Sequence, residues 1–194
     1  GSVNPTLPDW QEDLRRCAEV HKMPGLRLHP NYHRYQLSDP RFVDLLEKAA
    51  SRGLVIQISA SMEDERVQHP MLRVGNVGLS PLFELLKKMP GVRVVLLNWF
   101  RAVGTRSTAS ASTDLLVQLA GTGQVWFDIA MVEGVGGVGK LLEQVPANRV
   151  LFGSHAPFYY FESAALKLQE SLLSKEQLAN ISAQNARALL SKKS

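Results

Sequence analysis

Short apolar runs alternate with segments of helical period along almost the whole chain. Asp9 through Lys22 sets Leu14, Cys17 and Ala18 on one face, with His21 beside them, and Pro8-Asp9 opens the segment as a helix. GLRLHP, Gly25 to Pro30, reads as a short strand stopped by proline. Arg41 to Arg52 returns to the helical period through Phe42, Leu45, Leu46 and Ala49, and ends at Gly53; VIQIS, Val55 to Ser59, is the next strand. Ser80-Pro81 starts a helix carrying Leu82, Phe83, Leu85 and Leu86, closed by Pro90-Gly91. The run after it, VRVVLLNWF, is the most β-branched in the chain. A Thr/Ser/Ala-rich loop from Gly104 to Ser112, a helix over Asp114 to Ala120, a strand over Val125 to Ala130, a glycine-loaded turn, a helix over Lys140 to Gln144 and the strand RVLFGS continue the alternation. Two helices, Glu162 to Leu172 and Lys175 to Leu190, close it.

Strand–helix alternation of this kind predicts right-handed βαβ units and a parallel sheet, hence an α/β fold in one domain over residues 1–194. Five full strands are present, with Val3-Asn4 as the end of another. Five strands cannot close an eight-stranded barrel. The alternatives are an open parallel sheet, or an incomplete (β/α)8 TIM-type barrel lacking its first strands. In the second case GLRLHP or Val3-Asn4 and RVLFGS are bare edges. Either a homo-oligomer or association with a missing N-terminal segment is then expected to cover them.

Composition narrows the partners. The 194 residues carry a formal charge of +4, but the basic pairs Arg15-Arg16, Lys87-Lys88 and Lys192-Lys193 are scattered, so no nucleic-acid groove is expected. The single cysteine, Cys17, rules out an internal disulfide or a CxxC motif and reads as a packed thiol in a reducing, cytoplasmic setting. No apolar run approaches the roughly 18 residues of a membrane span, so no membrane partner is expected.

The candidate chemistry lies where strands end, because strand ends hold side chains rigidly while the following loops vary. Each strand ends in a polar residue: His29, Ser59, Asn98, Asp128 and His155. Alternation puts Arg27 on the face of His29, Gln57 with Ser59, Leu96 with Asn98, Trp126 with Asp128, and Gly153 with His155. Plainer roles stay open for each. His29 can bond a loop carbonyl, Ser59 can simply make room, and Asn98 can satisfy its own loop. A buried Asp128 needs a partner, with His155 or Arg27 as candidates.

Other signals are weaker. GVGGVGK, Gly134 to Lys140, lacks a Ser or Thr after Lys140 and reads as a turn that starts a helix. His29 and His33 are four apart, but Pro30 argues against a helix between them, so a helical metal pair is not expected. Glu63, Asp64 and Glu65 read as a solvated acidic loop, with His69 nearby, and Tyr159, Tyr160 and Phe161 as a packed aromatic cluster. No GxSxG nucleophile elbow occurs.

VNPT, GLRLHP, VIQIS, VRVVLLN, VWFDIA and RVLFGSHAPF together resemble the third to eighth strands of the amidohydrolase superfamily, in the branch of metal-dependent TIM-barrel hydrolases and decarboxylases. SKEQLANISAQNARALL is similar to that family's C-terminal helix. The resemblance implies metal-binding or polarising histidines at the fifth and sixth strand ends and a metal-binding aspartate at the eighth. Ser59, Asn98 and His155 stand at those positions. Hydroxyl and amide are poor replacements for imidazole on zinc, so no metal and no other cofactor is expected. What the resemblance then implies is a metal-independent hydrolase of a small carboxylated or lactone/ester substrate. His155 is the candidate base, Asp128 and His29 assist it, and Arg27, Asn31, Ser59 and Asn98 hold the substrate. A degenerate small-molecule-binding module, or an assembly protein pairing its open edges with another chain, is the alternative.

Overall fold

The computed structural model describes residues 1–64, 66, 68–71, 73–100, 102 and 109–191, the stretch 109–113 through its backbone only. Of the expected Gly104–Ser112 loop, residues 104–108 lie outside the described ones, as do Glu65 and the Lys192-Lys193 pair, whereas 109–112 are helical rather than loop. Five strands form one sheet in the order β1-β2-β3-β4-β5: β1 Gly25–Leu28, β2 Val55–Ser59, β3 Arg93–Leu97, β4 Val125–Asp128 and β5 Val150–Leu151. Every neighbouring pair is parallel. The sheet has an added rung at its first edge, where Ser2 bridges Arg27 in parallel and Arg27 N–H donates to Gly1 O at 2.7 Å. The extra strand end therefore falls at Ser2 rather than at Val3-Asn4.

Nine α-helices are described: α1 Trp10–Arg15, α2 Pro30–His33, α3 Pro40–Ala50, α4 Ser80–Lys88, α5 Ala109–Gly121, α6 Gly137–Leu142, α7 Phe161–Gln169, α8 Lys175–Ala179 and α9 Asn185–Leu190. α3 starts as its sequence demands, with Asp39 accepting from Arg41 N–H and Pro40 in the first turn. A reciprocal Ser174–Gln177 capping box opens α8. The expected helix over Asp9–Lys22 ends in a π-helical turn at Arg16–Val20, and that over Lys175–Leu190 is interrupted by one at Asn180–Gln184. α2 corrects the reading of Pro30. Proline at the first helical position loses no hydrogen bond, so Pro30–His33 forms one turn with His29 as its N-cap.

Strand alternation divides the core. Leu26, Leu28, Ile56, Ile58, Val94, Leu96 and Phe127 face the helices and pack with Phe42, Leu45, Leu46, Leu82, Leu86 and Leu119, all buried. Burying each such side chain is worth roughly 1.5–3 kcal/mol, which is why this face defines the fold. The other face aligns Arg27, Gln57, Val95 and Trp126 across four strands by register. There Val55, Val95 and Leu151 pack against Leu189 of α9. No described helix is long and apolar enough to cross a membrane.

Candidate functional site

Parallel register carries the five strand ends to one edge of the sheet, and three of them meet. β3 stops at Leu97 because Asn98 adopts a left-handed backbone, φ +54°. Strict alternation would keep Asn98 on the helix-facing side with Leu96; the left-handed turn swings it into the site instead. Its backbone N–H donates to Asp128 Oδ1 at 3.0 Å, and Nδ2 lies 3.2 Å from Ser61 O and 3.1 Å from His155 Nδ1. Trp99 Nε1–H closes the turn onto Asp128 O at 2.8 Å.

This network assigns the protonation of His155. Ser61 C=O can only accept, so the amide atom facing it is the nitrogen. The same NH2 group then donates to His155 Nδ1, which must carry the lone pair, leaving the proton on Nε2. Burial holds the imidazole below the usual histidine range, helped by the Arg27 charge and opposed by a hydrogen bond to the Met62 backbone and by Glu63. Like Asn98, His155 has a positive φ, +55°. Its ring contacts Phe158 and Tyr159, with centroids 5.3 and 5.4 Å away.

Asp128 does not take His155 as its partner. Asn98 stands between them, bonded to Asp128 through its backbone and to His155 through its side chain. Burial pushes the carboxyl up to about 7, against the pull of the Asn98 N–H, Lys167, the Ala130 backbone and Arg27. Gly153 is what lets the carboxylate lie so close to β5: a Cβ there would stand 2.7 Å from Asp128 Oδ2. Lys167 of α7 is the group that sequence reasoning missed. Its Nζ donates to Ala130 O at 2.6 Å and to Ile129 O at 3.3 Å, and burial lowers its pKa against Asp128, Glu133 and Glu170. The signal was available. Lys167 is one helical turn from Ala164 and adjacent to Leu168, both buried, so a lysine sits on a buried face.

The remaining candidates separate. Arg27 is exposed on the open face of β1; its Nε donates to Gln57 Oε1 at 2.9 Å, and its charge reaches His29, Asp128 and His155. His29 is held below its usual range by burial first, then by His33 and Arg27, and its Nδ1 is buried without a partner. Ser59 is buried and donates to Ser61 O at 3.1 Å, so its hydroxyl serves its own loop. Asn31 is turned away, with Nδ2 donating to Gly75 O at 3.2 Å.

Two expectations at the rim are corrected. Asp64 is buried and bonds Arg66, which also reaches Glu133 at 2.8 Å, so this acidic side chain is a loop anchor rather than a solvated face. Of Tyr159, Tyr160 and Phe161, the last two are 85 and 55% exposed, Phe161 with its ring against Phe152, while Tyr159 is half-buried and packs on the His155 ring, so the three separate. Cys17 is buried and free, as its helical position implied.

The amidohydrolase family profile matches residues 1–192. The chain belongs to this family. A 2,6-dihydroxybenzoate decarboxylase from Rhizobium is similar in structure with a TM-score of 0.71 at 14% identity, over 98% of this chain and 69% of its own. A 5-carboxyvanillate decarboxylase from Sphingomonas paucimobilis gives 0.70 at 13%, over 98% and 65%. A TIM-barrel protein from Bordetella bronchiseptica gives 0.71 at 13%, again over 98% and 65%. The chain thus spans 65 to 69% of the length of these three proteins. At such identities the likeness is one of fold, and it makes the five-stranded sheet an incomplete TIM-type barrel. No curated protein matches the chain in sequence.

Family resemblance implies a metal at the strand ends, and the three side chains that meet there, Asn98, Asp128 and His155, do not fit one. The His155 Nδ1 lone pair is taken by the Asn98 amide, whose NH2 is a donor and not a ligand. Asp128 is fully enclosed beneath Gly153 and faces backbone N–H and Lys167. Among the described residues no three His, Cys, Asp or Glu side chains converge.

Proposed function

We propose that this amidohydrolase-family chain forms the carboxylate-recognising part of a hydrolase acting on a small carboxylated or lactone/ester substrate, with no metal held by its own residues. The carrying observation is Arg27, exposed and bonded to Gln57 through Nε with no hydrogen bond at its terminal guanidinium nitrogens among the described residues, while its charge reaches His29, Asp128 and His155. A substrate carboxylate held on that fork would lie within reach of the charge field that Arg27 shares with His155. His155 is neutral at physiological pH and has its lone pair on Nδ1. Water displacing the Asn98 amide from Nδ1 would lose its proton there as its oxygen attacks the carbonyl carbon. The Met62 backbone, which favours the charged ring, would stabilise the imidazolium. The same proton then passes to the leaving alkoxide, which completes hydrolysis. The freed Asn98 N–H is available to the developing oxyanion.

A second reading, a binding module without turnover, draws on the same contact. Asn98 and the Met62 backbone together satisfy the His155 ring as it stands. A screen of lactones and carboxylated aromatics, with metal analysis of the purified protein, tests both. The hydrolase reading expects turnover without stoichiometric metal, kcat reduced about 10²–10⁴-fold in His155→Ala, and KM raised in Arg27→Gln. Saturable binding that Arg27→Gln abolishes, with no turnover of any probe, would instead establish the binding module.

A further inference from the structure

At the opposite end of the sheet, the residues just before β2, β3, β4 and β5 surround a cavity of about 800 Å³, floored by α9. Arg52, Arg93 and Arg149 line it with Trp126, Asn148 and Leu189, and no Asp or Glu is among its described lining residues. The three guanidiniums are not equally engaged. Arg52 is partly offset by Glu19 at 3.6 Å. Arg93 donates to the carbonyls of Leu189, at 2.6 Å, and Gly53, which fixes α9 but leaves its charge without a carboxylate. Arg149 lies over the Trp126 ring at 4.4 Å and has no hydrogen-bond or ion-pair partner among the described residues.

Stacking on an indole satisfies the face of a guanidinium and leaves its in-plane N–H donors unspent. Burial without a counter-charge even lowers the Arg149 pKa, a cost that an anion would remove. Guanidinium forks match the paired oxygens of carboxylate or phosphate, and the cavity is far larger than one such group. Trp126 and Leu189 supply apolar wall for an organic body.

We infer that this cavity is a second ligand site, separate from the strand-end site, for a small organic molecule bearing a phosphoryl or carboxylate group, with Arg149 and Arg93 as its anion-recognising residues. Inorganic phosphate and citrate, titrated calorimetrically at an ionic strength held constant with sodium chloride, distinguish the two anion classes. At least one is expected to bind saturably, to weaken tenfold or more in Arg149→Gln, and to keep its affinity in Arg27→Gln, on the edge strand β1 and outside the cavity lining. The Arg149 Nε–H resonance should shift on titration of the unaltered chain, a readout that stands even where Arg149→Gln fails to fold. Absence of saturation with both probes overturns the inference. So does binding that survives Arg149→Gln, or binding that Arg27→Gln removes.

Discussion

The Asn98 side-chain amide lies 3.1 Å from His155 Nδ1, and the Ser61 carbonyl on its other side fixes which way the amide points. His155 is thereby held as an acceptor at Nδ1. Replacing the donor by an acceptor, Asn98→Asp, should reverse this: Nδ1 becomes the protonated nitrogen and the new carboxylate favours imidazolium. The His155 pKa, below the usual value in the parent chain, should rise past about 6.5 in the variant. An NMR titration of the His155 ring reads it directly, and an unchanged pKa would mean that Asn98 does not set the tautomer.

Gly153 is required for space and not for backbone freedom. It has no positive φ, yet an added Cβ would stand 2.7 Å from Asp128 Oδ2 and 3.0 Å from Asp128 Cβ. Gly153→Ala should therefore cost about 1–3 kcal/mol as β5 and Asp128 move apart. Gly78→Ala, where a Cβ meets open space, should stay within about 0.5 kcal/mol of the parent in the same urea titration. Equal midpoints for the two variants would remove the close approach as a constraint.

Local pattern made much of the fold legible. VIQIS is a strand from Val55 to Ser59 as its composition predicts, because four of its five residues are buried and two faces need apolar cover. VRVVLLNWF overran, since the strand ends where Asn98 turns left-handed, and RVLFGS shortened to Val150–Leu151. The polar strand ends were visible because each is a local break in an apolar run. What joins them was not: Asn98 and His155 are 57 residues apart and meet through two positive-φ residues, which side-chain type alone does not specify. Arg27 was readable from alternation, whereas the role of Lys167 depends on α7 crossing the end of β4.

Lys167 acts as a strut. Lys167→Met keeps much of the buried stem but removes the donor to the Ile129 and Ala130 carbonyls. Stranding those acceptors should destabilise the chain by about 1–3 kcal/mol. It should also raise the Asp128 pKa further, because the lysine charge favours the carboxylate. Urea unfolding together with the pH dependence of the Asp128 side-chain carbonyl resonance checks both effects. A stability loss with no movement of the Asp128 titration would confine Lys167 to backbone anchoring.

Asp128 gives the chain a pH dependence of unusual sign. Its carboxyl titrates at about 7 in the fold, against roughly 3.9 in an unfolded chain, so the folded state holds the proton more tightly. The stability this confers is complete below the unfolded value and is lost as pH rises towards 7. His29, His33 and His155 work the other way: burial lowers each of them, so they favour the fold above about 6.5 and oppose it as pH falls. The two groups overlap between about pH 4 and 7, and the parent curve alone cannot separate them. Asp128→Asn does, since the amide oxygen can still accept from Asn98 N–H but the group no longer ionises. The variant's stability relative to the parent should increase from pH 4.5 to pH 8, by on the order of 1–4 kcal/mol in paired urea titrations. A difference that stays constant across that range would mean that Asp128 is ionised in the fold throughout, with Lys167 and Asn98 outweighing burial.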